Sequence, residues 1–204
     1  MDEGYIKYQL HWQEAEALPT DLLQDLIRWR KEMYDRNWIG YDQGLKVGFG
    51  NLSEKCDQQL GHFIISGTQT GHLQDLSAEH FTAVSSYDIS ANQLICRGPV
   101  KASSESLTHA GCYELSKRIN AVIHIHNRPL WQWMCGRLPT TAEDVAYGTP
   151  EMAFEVKRLY EKTVLPQQGV FAMAGHQDGI VSFGESLSEA AKRLFDLHQI
   201  FSHA

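Results

Sequence analysis

The sequence lacks any apolar run that approaches 18 residues, the length from which a membrane-spanning helix is predicted. Its N-terminus, MDEGYIKYQL, has neither the basic region nor the apolar region of a secretory signal. The 18 lysines and arginines are scattered, and the 25 acidic residues give a net charge of −7. We therefore expect a cytoplasmic protein that binds neither membranes nor nucleic acid.

Paired cysteines are missing as well. The four cysteines form no C-x-x-C pair and no zinc-ribbon spacing, which predicts reduced thiols. A chain of 204 residues that is 43% hydrophobic is long enough for one sizeable core. We expect residues 1–204 to form a single domain of α/β or α+β type.

Helix and strand signals are interspersed along the chain. A hairpin signal at 85–98 argues against a purely parallel sheet. Apolar spacing and capping residues predict helices over 21–38 (capped by Thr20), 77–84 and 102–119, and after Asn127, Thr149 and Ser186. Further strand signals cover 6–12, 45–49, 61–66, 121–126, 169–175 and 179–184.

The segment AVIHIHN, residues 121–127, carries two histidines inside an otherwise apolar strand. Because side chains alternate along a strand, His124 and His126 share one face with Val122. Two imidazoles on one side can bind the same metal ion at little conformational cost. The pair alone is a weak signal, and on it two histidines packed in the core are the favoured interpretation.

A third histidine, His176, lies at the junction between two strand-like segments, where a turn can aim its side chain back at the sheet. Three neutral imidazoles with an open fourth position are typical of a catalytic divalent metal site. Zinc is the natural choice, and the same ligands also admit other first-row metals.

Glu105 follows Ser103 and Ser104 at the start of the helix that leads into the histidine strand. A helix N-terminus with two serines offers amides and hydroxyls to an anion. Ordinary N-capping explains the same residues, so both interpretations stay open on this pattern alone.

These residues belong to five motifs that occur in a fixed order: GFGNLS (48–53), FIISGTQTG (63–71), PVKASSESLTH (99–109), NAVIHIHN (120–127) and GHQDGIVSFGESLSEA (175–190). In this order they resemble the class II aldolase/adducin family over about residues 20–198. The resemblance implies a single-domain, three-layer αβα fold with a mostly antiparallel central sheet, and a homotetramer with active sites between subunits.

The resemblance also implies roles for individual residues. Glu105 stands where the family's aldolases keep their catalytic acid/base, and enclosure is expected to raise its pKa. The implied zinc ligands are His124, His126 and His176. The implied phosphate cradle is formed by Gly50, Asn51, Ser66, Gly67, Ser103 and Ser104.

The implied activity is a zinc-dependent lyase that cleaves a ketose phosphate into a dihydroxyacetone-phosphate-like donor and an aldehyde. A sugar-phosphate 4-epimerase and a methylthioribulose-phosphate-type dehydratase are alternatives within the family. A non-catalytic adducin-like binding domain fits less well, because adducin-type domains lose the ligand histidines that stand here.

Two of the departures from the family pattern concern candidate site residues. Two residues separate His176 from Gly179 where members often have His-Gly, which leaves Asp178 as an alternative contributor to the metal site. The family's cross-subunit catalytic residue would fall in EDVAYG, where Asp144 and Tyr147 are both candidates. Glu105 favours the aldolases, and Asp144 favours the epimerases.

Overall fold

The computed structural model describes residues 5–203, and its central feature is an eight-stranded sheet. The strand order is β1-β7-β6-β5-β4-β8-β10-β9, and only the β1–β7 pair is parallel. Strands β2 and β3 form a separate hairpin. The strands are β1 (Gln9–Glu14), β2 (Gly40–Asp42), β3 (Val47–Phe49), β4 (Asn51–Lys55), β5 (Phe63–Ser66), β6 (Phe81–Asp88), β7 (Gln93–Gly98), β8 (Ala121–His126), β9 (Val170–Ala172) and β10 (Gly179–Gly184).

Helices cover both faces of this sheet. Side chains of α2 and α4 pack with Val122 and Val181 on one face, and those of α1, α3 and α6 pack with Ile123 and Ile125 on the other. The α-helices are α1 (Gln24–Asp35), α2 (Ser106–Leu115), α3 (Arg128–Met134), α4 (Pro150–Lys162), α5 (Leu165–Gln168) and α6 (Leu187–Ser202). The predicted three-layer αβα fold with a mostly antiparallel sheet is confirmed.

The histidine strand β8 lies in the interior of the sheet, with antiparallel neighbours β4 and β10 on its two sides. Its alternation sends Ile123 and Ile125 into one core, whereas Val122 packs into the opposite core. His124 therefore faces the layer that contains α2. A strand paired along both edges is a rigid support for a functional side chain.

Several local predictions are confirmed and three are wrong. Asn127, Thr149 and Ser186 each cap a helix through a side-chain acceptor. The segment 77–84 forms only a short 3-10 turn, Ala78–His80, before strand β6 begins. Thr20 caps no helix, since a 3-10 turn occupies 20–23 and α1 follows Leu23. Helix α2 is shorter than predicted and covers 106–115, with Glu105 at its N-cap position.

Within residues 5–203, no helix combines the length and the apolar character that crossing a membrane requires.

Candidate metal and anion-binding site

Three histidines converge at the end of strand β8. His124 and His126 extend from one face of the strand, and His176 meets them from the turn between β9 and β10. One ligand atom from each residue lies within 4.8 Å of the others, and the ring centroids are 4.8 to 5.1 Å apart. This is the only group of three or more such side chains found among the described residues.

The two residues between His176 and Gly179 form a tight turn that aims His176 at the sheet. The Gly179 amide donates to the His176 carbonyl at 3.0 Å, and Asp178 has a left-handed φ of 71°. A Cβ on Gly179 would lie 3.2 Å from Nε2 of His124, so a side chain there would crowd the histidines. Asp178 is not part of the convergent group of ligand atoms.

The surroundings of the histidines keep the imidazoles neutral. Burial lowers the pKa of His124 well below its usual value, although the nearby Glu105 raises it, and burial likewise lowers the pKa of His126. Nε2 of His124 is buried and has no hydrogen-bond partner among the described residues. Neutral imidazoles with an unpaired buried nitrogen suit a metal ion, which binds the deprotonated nitrogen.

Glu105 is a direct partner of this cluster. Its Oε1 lies 3.0 Å from Nδ1 of His176, and its Oε2 accepts from the Thr108 hydroxyl at 3.1 Å. Burial alone raises the pKa of Glu105, but electrostatic interactions with the His176 and His124 rings and the contact with His176 Nδ1 lower it to about 2. The expectation of a raised pKa is therefore wrong. The carboxylate is ionised because of its neighbours.

Most residues of the predicted phosphate cradle line a cavity next to Glu105. Gly50 (φ 75°), Asn51, Gly67, Ser103 and Ser104 line it together with His124 and the loop 68–71. Ser66 does not line this cavity. It is buried, and its hydroxyl accepts from the Leu52 amide at 3.3 Å, which ties β5 to β4.

Asn51 connects this cavity with the histidine cluster. Its Nδ2 lies 3.3 Å from Nδ1 of His124, and its Oδ1 is buried with no hydrogen-bond partner among residues 5–203. The oxygen and nitrogen of an amide exchange places by a half turn, so the hydrogen-bond network decides which of them faces the imidazole. Asn51 can therefore present either a donor or an acceptor to His124.

Behind the site, Ser53 lies between two side chains of α2. Its hydroxyl is 2.7 Å from Nδ1 of His109 and 2.7 Å from the hydroxyl of Tyr113. All three side chains are buried. Burial lowers the pKa of His109 to about 4, with the charge of Glu105 acting in the opposite direction.

A second cavity opens on the outer side of the histidines. Its lining includes Lys7, Arg128, Tyr147 and Asp178 along with His126 and His176. The ring of Tyr147 lies 4.5 Å from that of His176, and Lys7 Nζ lies 3.7 Å from the centre of the Tyr147 ring. Asp144, the other candidate in EDVAYG, is exposed and lines neither cavity.

Sequence reasoning did not identify the contribution of the N-terminal segment. The Tyr8 hydroxyl donates to the Ser103 carbonyl at 2.7 Å, and Lys7 reaches the outer cavity. Apolar alternation predicted a strand in this N-terminal segment. The local sequence gives no signal that the segment contacts the turn at Ser103. The loop 68–71 could have been recognised, because GTQTG is a hydroxyl-rich turn flanked by glycines.

A family model confirms the class of protein that the fold and the histidine cluster define. The model of the class II aldolase and adducin N-terminal domain matches residues 24–203. The chain belongs to this family. No curated protein sequence matches it significantly.

Solved structures share the fold at low sequence identity. L-fuculose-1-phosphate aldolase from Thermus thermophilus superimposes with a TM-score of 0.66 at 17% identity, covering 90% of this chain and 92% of that one. A sugar-phosphate aldolase from Thermotoga maritima gives 0.67 at 13% identity, with 89% and 92% covered. YgbL from Escherichia coli gives 0.65 at 20% identity, with 90% and 87% covered.

Proposed function

We propose that the protein is a metal-dependent aldehyde-lyase that cleaves a ketose phosphate into a dihydroxyacetone-phosphate-like donor and an aldehyde. The observation that carries the proposal is the position of Glu105. Its carboxylate contacts a cluster of three histidines on one side and lines a cavity of glycines, serines and amides on the other. A metal centre, a base and an anion pocket are the three parts that this reaction needs.

The donor set fits a divalent ion such as zinc. His124, His126 and His176 would hold it and leave a position for substrate oxygens. The ion would act as a Lewis acid that polarises the carbonyl of the ketose. Because Nδ1 of His176 contacts the Glu105 carboxylate, Nε2 is the nitrogen of that ring that would bind the metal, and carboxylate partners of this kind commonly orient metal-binding histidines.

Asn51 would orient His124 in the same manner. If Nε2 of His124 binds the ion, Nδ1 must carry the proton, and the amide of Asn51 must then present Oδ1 to accept it. In that orientation Nδ2 of Asn51 becomes available as a donor on the cavity side. One side chain would thus fix an imidazole tautomer and contribute to the phosphate cradle.

Glu105 would move the proton at the donor carbon. In the direction of condensation, the ionised carboxylate takes a proton from the carbon that becomes C3, and the electron pair left on that carbon attacks the aldehyde. In cleavage, a water molecule would carry the proton of the C4 hydroxyl to Glu105, the C3–C4 bond breaks with its electron pair left on C3, and Glu105 passes the proton to C3. In condensation the same relay would return the proton to the C4 oxygen. Because the carboxylate is ionised, it is in the protonation state that can accept a proton from that carbon.

The anion cavity would hold the phosphate. Gly50, Asn51, Gly67, Ser103 and Ser104 surround it with small side chains, hydroxyls and main-chain amides. Such groups bind an oxyanion without a lysine or arginine in direct contact. Ser66 would support this cavity from behind, through its hydrogen bond to the Leu52 amide.

Tyr147 would contribute to the active site of its own subunit, and Asp144 would contribute to that of a neighbouring subunit. Tyr147 lies beside His176 of its own chain, whereas exposed Asp144 could reach only the site of a neighbouring subunit. We therefore propose a homotetramer with active sites between subunits. Sedimentation should give four times the chain mass, and a monomer would contradict this arrangement.

The chain is further expected to act in the cytoplasm on a small sugar phosphate. Its four cysteines, Cys56, Cys96, Cys112 and Cys135, are all free thiols, as a reducing compartment would keep them.

Metal content tests the first part of the proposal. Purified protein should contain about one divalent ion per chain, and His124→Ala should remove it. His11→Ala is the matched control, because His11 is exposed on the edge strand β1. Equal metal content in wild type and His124→Ala would contradict the proposed centre.

A panel of ketose 1-phosphates tests the reaction. A reductase that consumes the released aldehyde reports cleavage, while chromatography of the sugar phosphates reports epimerisation or dehydration. Aldehyde release by the wild type, with loss of release in Glu105→Gln, is the expected result. An epimer or a dehydrated product without aldehyde would favour one of the two alternative family activities.

A further inference from the structure

Arg30 is a buried cation that no part of the proposed reaction uses. It extends from α1, only 1% of its surface is exposed, and it ranks among the largest fully buried side chains. No carboxylate of residues 5–203 forms an ion pair with it within 4.0 Å. A buried charge without a counter-ion is costly, so its retention calls for a specific function.

The guanidinium instead binds three main-chain carbonyls of one loop. Nη1 donates to Gln74 O at 2.9 Å, and Nη2 donates to Thr70 O at 3.0 Å and to Gly71 O at 3.3 Å. The plane of the guanidinium lies over the Tyr34 ring, 4.7 Å from its centre. Arg30 is not among the residues that line the cavity formed with 67–71, so it holds this loop from outside the cavity.

This contact sets the direction of the peptide dipoles in the loop. In a trans peptide the carbonyl and the amide of the same unit point in opposite directions. Because the Thr70 carbonyl points at Arg30, the amide of Gly71 points away from it. The Gly71 nitrogen lies 2.9 Å from where a Cβ of Gly48 would be, and Gly48 lines the same cavity.

Close packing leaves the loop little freedom to move away. A Cβ on Gly71 would approach the Gly40 carbonyl oxygen to 2.1 Å and Gly48 Cα to 2.7 Å. The loop is therefore held between the β2–β3 hairpin and Arg30. The amides of Gln69, Thr70 and Gly71 donate to no main-chain carbonyl among the described residues, which leaves them available to a ligand.

We propose that Arg30 is a positioning residue for the oxyanion cavity, acting through the loop 67–71 on a phosphate that it does not touch. The guanidinium orients the Gly71 amide toward the anion through the Thr70 carbonyl and adds its charge to the dipole of that peptide unit. This assignment rests on the phosphate cradle of the proposed function. It adds a residue of α1 that lies outside the cavity lining to the determinants of phosphate affinity.

Binding of inorganic phosphate to metal-free protein, measured by calorimetry, tests the assignment without turnover. Arg30→Gln should weaken phosphate binding at least tenfold, and Arg30→Lys should weaken it less, because lysine keeps the charge but cannot bind three carbonyls. Arg28→Gln should bind as the wild type does. Arg28 lies on the same helix, is exposed and pairs with Asp25 at the surface.

Zinc affinity is the second measurement, because a general loss of structure would affect the histidines too. We expect zinc to bind Arg30→Gln within twofold of the wild type. Unchanged phosphate affinity would overturn the assignment, and so would parallel losses of phosphate and zinc affinity. If both Arg30 variants fail to fold, Tyr34→Leu removes the ring beneath the guanidinium. It should then weaken phosphate binding about threefold, and no change would overturn the assignment.

The outcomes also separate this assignment from the proposed function. A wild type that binds phosphate but cleaves no ketose phosphate would contradict the lyase and leave the role of Arg30 standing. A wild type that binds no phosphate would contradict both. Equal phosphate binding by wild type and Arg30→Gln would contradict the role of Arg30 alone.

Discussion

Glu105 Oε1 and His176 Nδ1 lie 3.0 Å apart, and both side chains are almost completely buried. This contact leaves Nε2 as the ring nitrogen of His176 that can bind a metal. It also places an ionised carboxylate beside the open face of the histidine cluster. The same carboxylate is therefore proposed to orient a ligand and to transfer a proton.

Substitution of Glu105 by glutamine separates these two functions. Glutamine can still accept the Nδ1 hydrogen of His176 but cannot take a proton from carbon. We expect Glu105→Gln to keep its metal while kcat/KM falls by about 10²–10⁴-fold. Glu105→Ala should also weaken metal binding, by about 10–100-fold. Elemental analysis and the aldehyde assay measure the two effects, and normal activity in Glu105→Gln would exclude it as the base.

Asn51 is expected to tune metal affinity through His124. Asn51→Leu removes the amide that can hold the Nδ1 proton, so metal should bind about 10–100-fold more weakly. Phosphate affinity should fall in the same variant, because the amide also lines the anion cavity. Competition with a chelator and phosphate calorimetry measure the two losses. A variant that loses neither would show that Asn51 only packs between the cavities.

The stability of the metal-free protein should depend on pH through His109. Burial lowers its pKa to about 4, below the unfolded value of about 6.5, so the unfolded chain binds the proton first. The free energy of unfolding should therefore fall as the pH decreases from about 6.5 to about 4. A shift of this size corresponds to about 3 kcal/mol.

Urea unfolding at several pH values measures this dependence. His109→Asn should show a shallower decline than the wild type over the same interval. The exposed His11 provides the control, and His11→Asn should leave the slope unchanged. Parallel curves for wild type and His109→Asn would show that other groups cause the acid sensitivity.

Tyr8 links the N-terminal segment to the Ser103 turn. Tyr8→Phe removes a buried hydrogen bond to the Ser103 carbonyl, which still accepts from the amide and hydroxyl of Ser106. We expect a loss of about 1 kcal/mol in the free energy of unfolding. Tyr5→Phe, at a side chain that is 68% exposed, should change stability little. Chemical denaturation compares the two variants.

Tyr147 is expected to support His176 through its ring. Tyr147→Phe keeps the ring that lies 4.5 Å from the imidazole, so metal affinity should stay close to that of the wild type. Tyr147→Ala opens space beside His176 and should weaken metal binding several-fold. If the hydroxyl takes part in proton transfer, Tyr147→Phe should lower kcat while its metal content is unchanged. Metal titration together with steady-state kinetics distinguishes these roles.

The parts of the fold that were predicted from sequence are those with strong local signals. Alternation predicted β8 and its two histidines, and the capping residues Thr149 and Ser186 located two helix starts. The helix predicted for residues 77–84 was wrong because Phe81, Ala83 and Val84 are buried in strand β6, which lies between β5 and β7. Tertiary pairing overrode the helical signal that follows Ser77.

Site residues could be predicted from the sequence where they belong to a recognisable motif. They could not be predicted where the site depends on contacts between segments that are distant in the chain. His176 could be placed beside the histidine strand because it is the only histidine in its motif, and the two extra residues before Gly179 fold into a turn that keeps it there. The low pKa of Glu105 could not be predicted, since it depends on imidazoles from another element. Lys7 and Arg30 had no local signal for the cavities that they approach.

The way the sheet joins these segments also governs how the protein folds. Asn51 and His124 are neighbours although 73 positions separate them in the chain, and β1 pairs with a strand more than 80 residues away. Contacts between residues so far apart in the chain are expected to form late in folding, because each one carries the entropic cost of closing a large loop. Partly folded chains are therefore expected to lack the histidine cluster, so a metal ion held by that cluster would be bound late in folding.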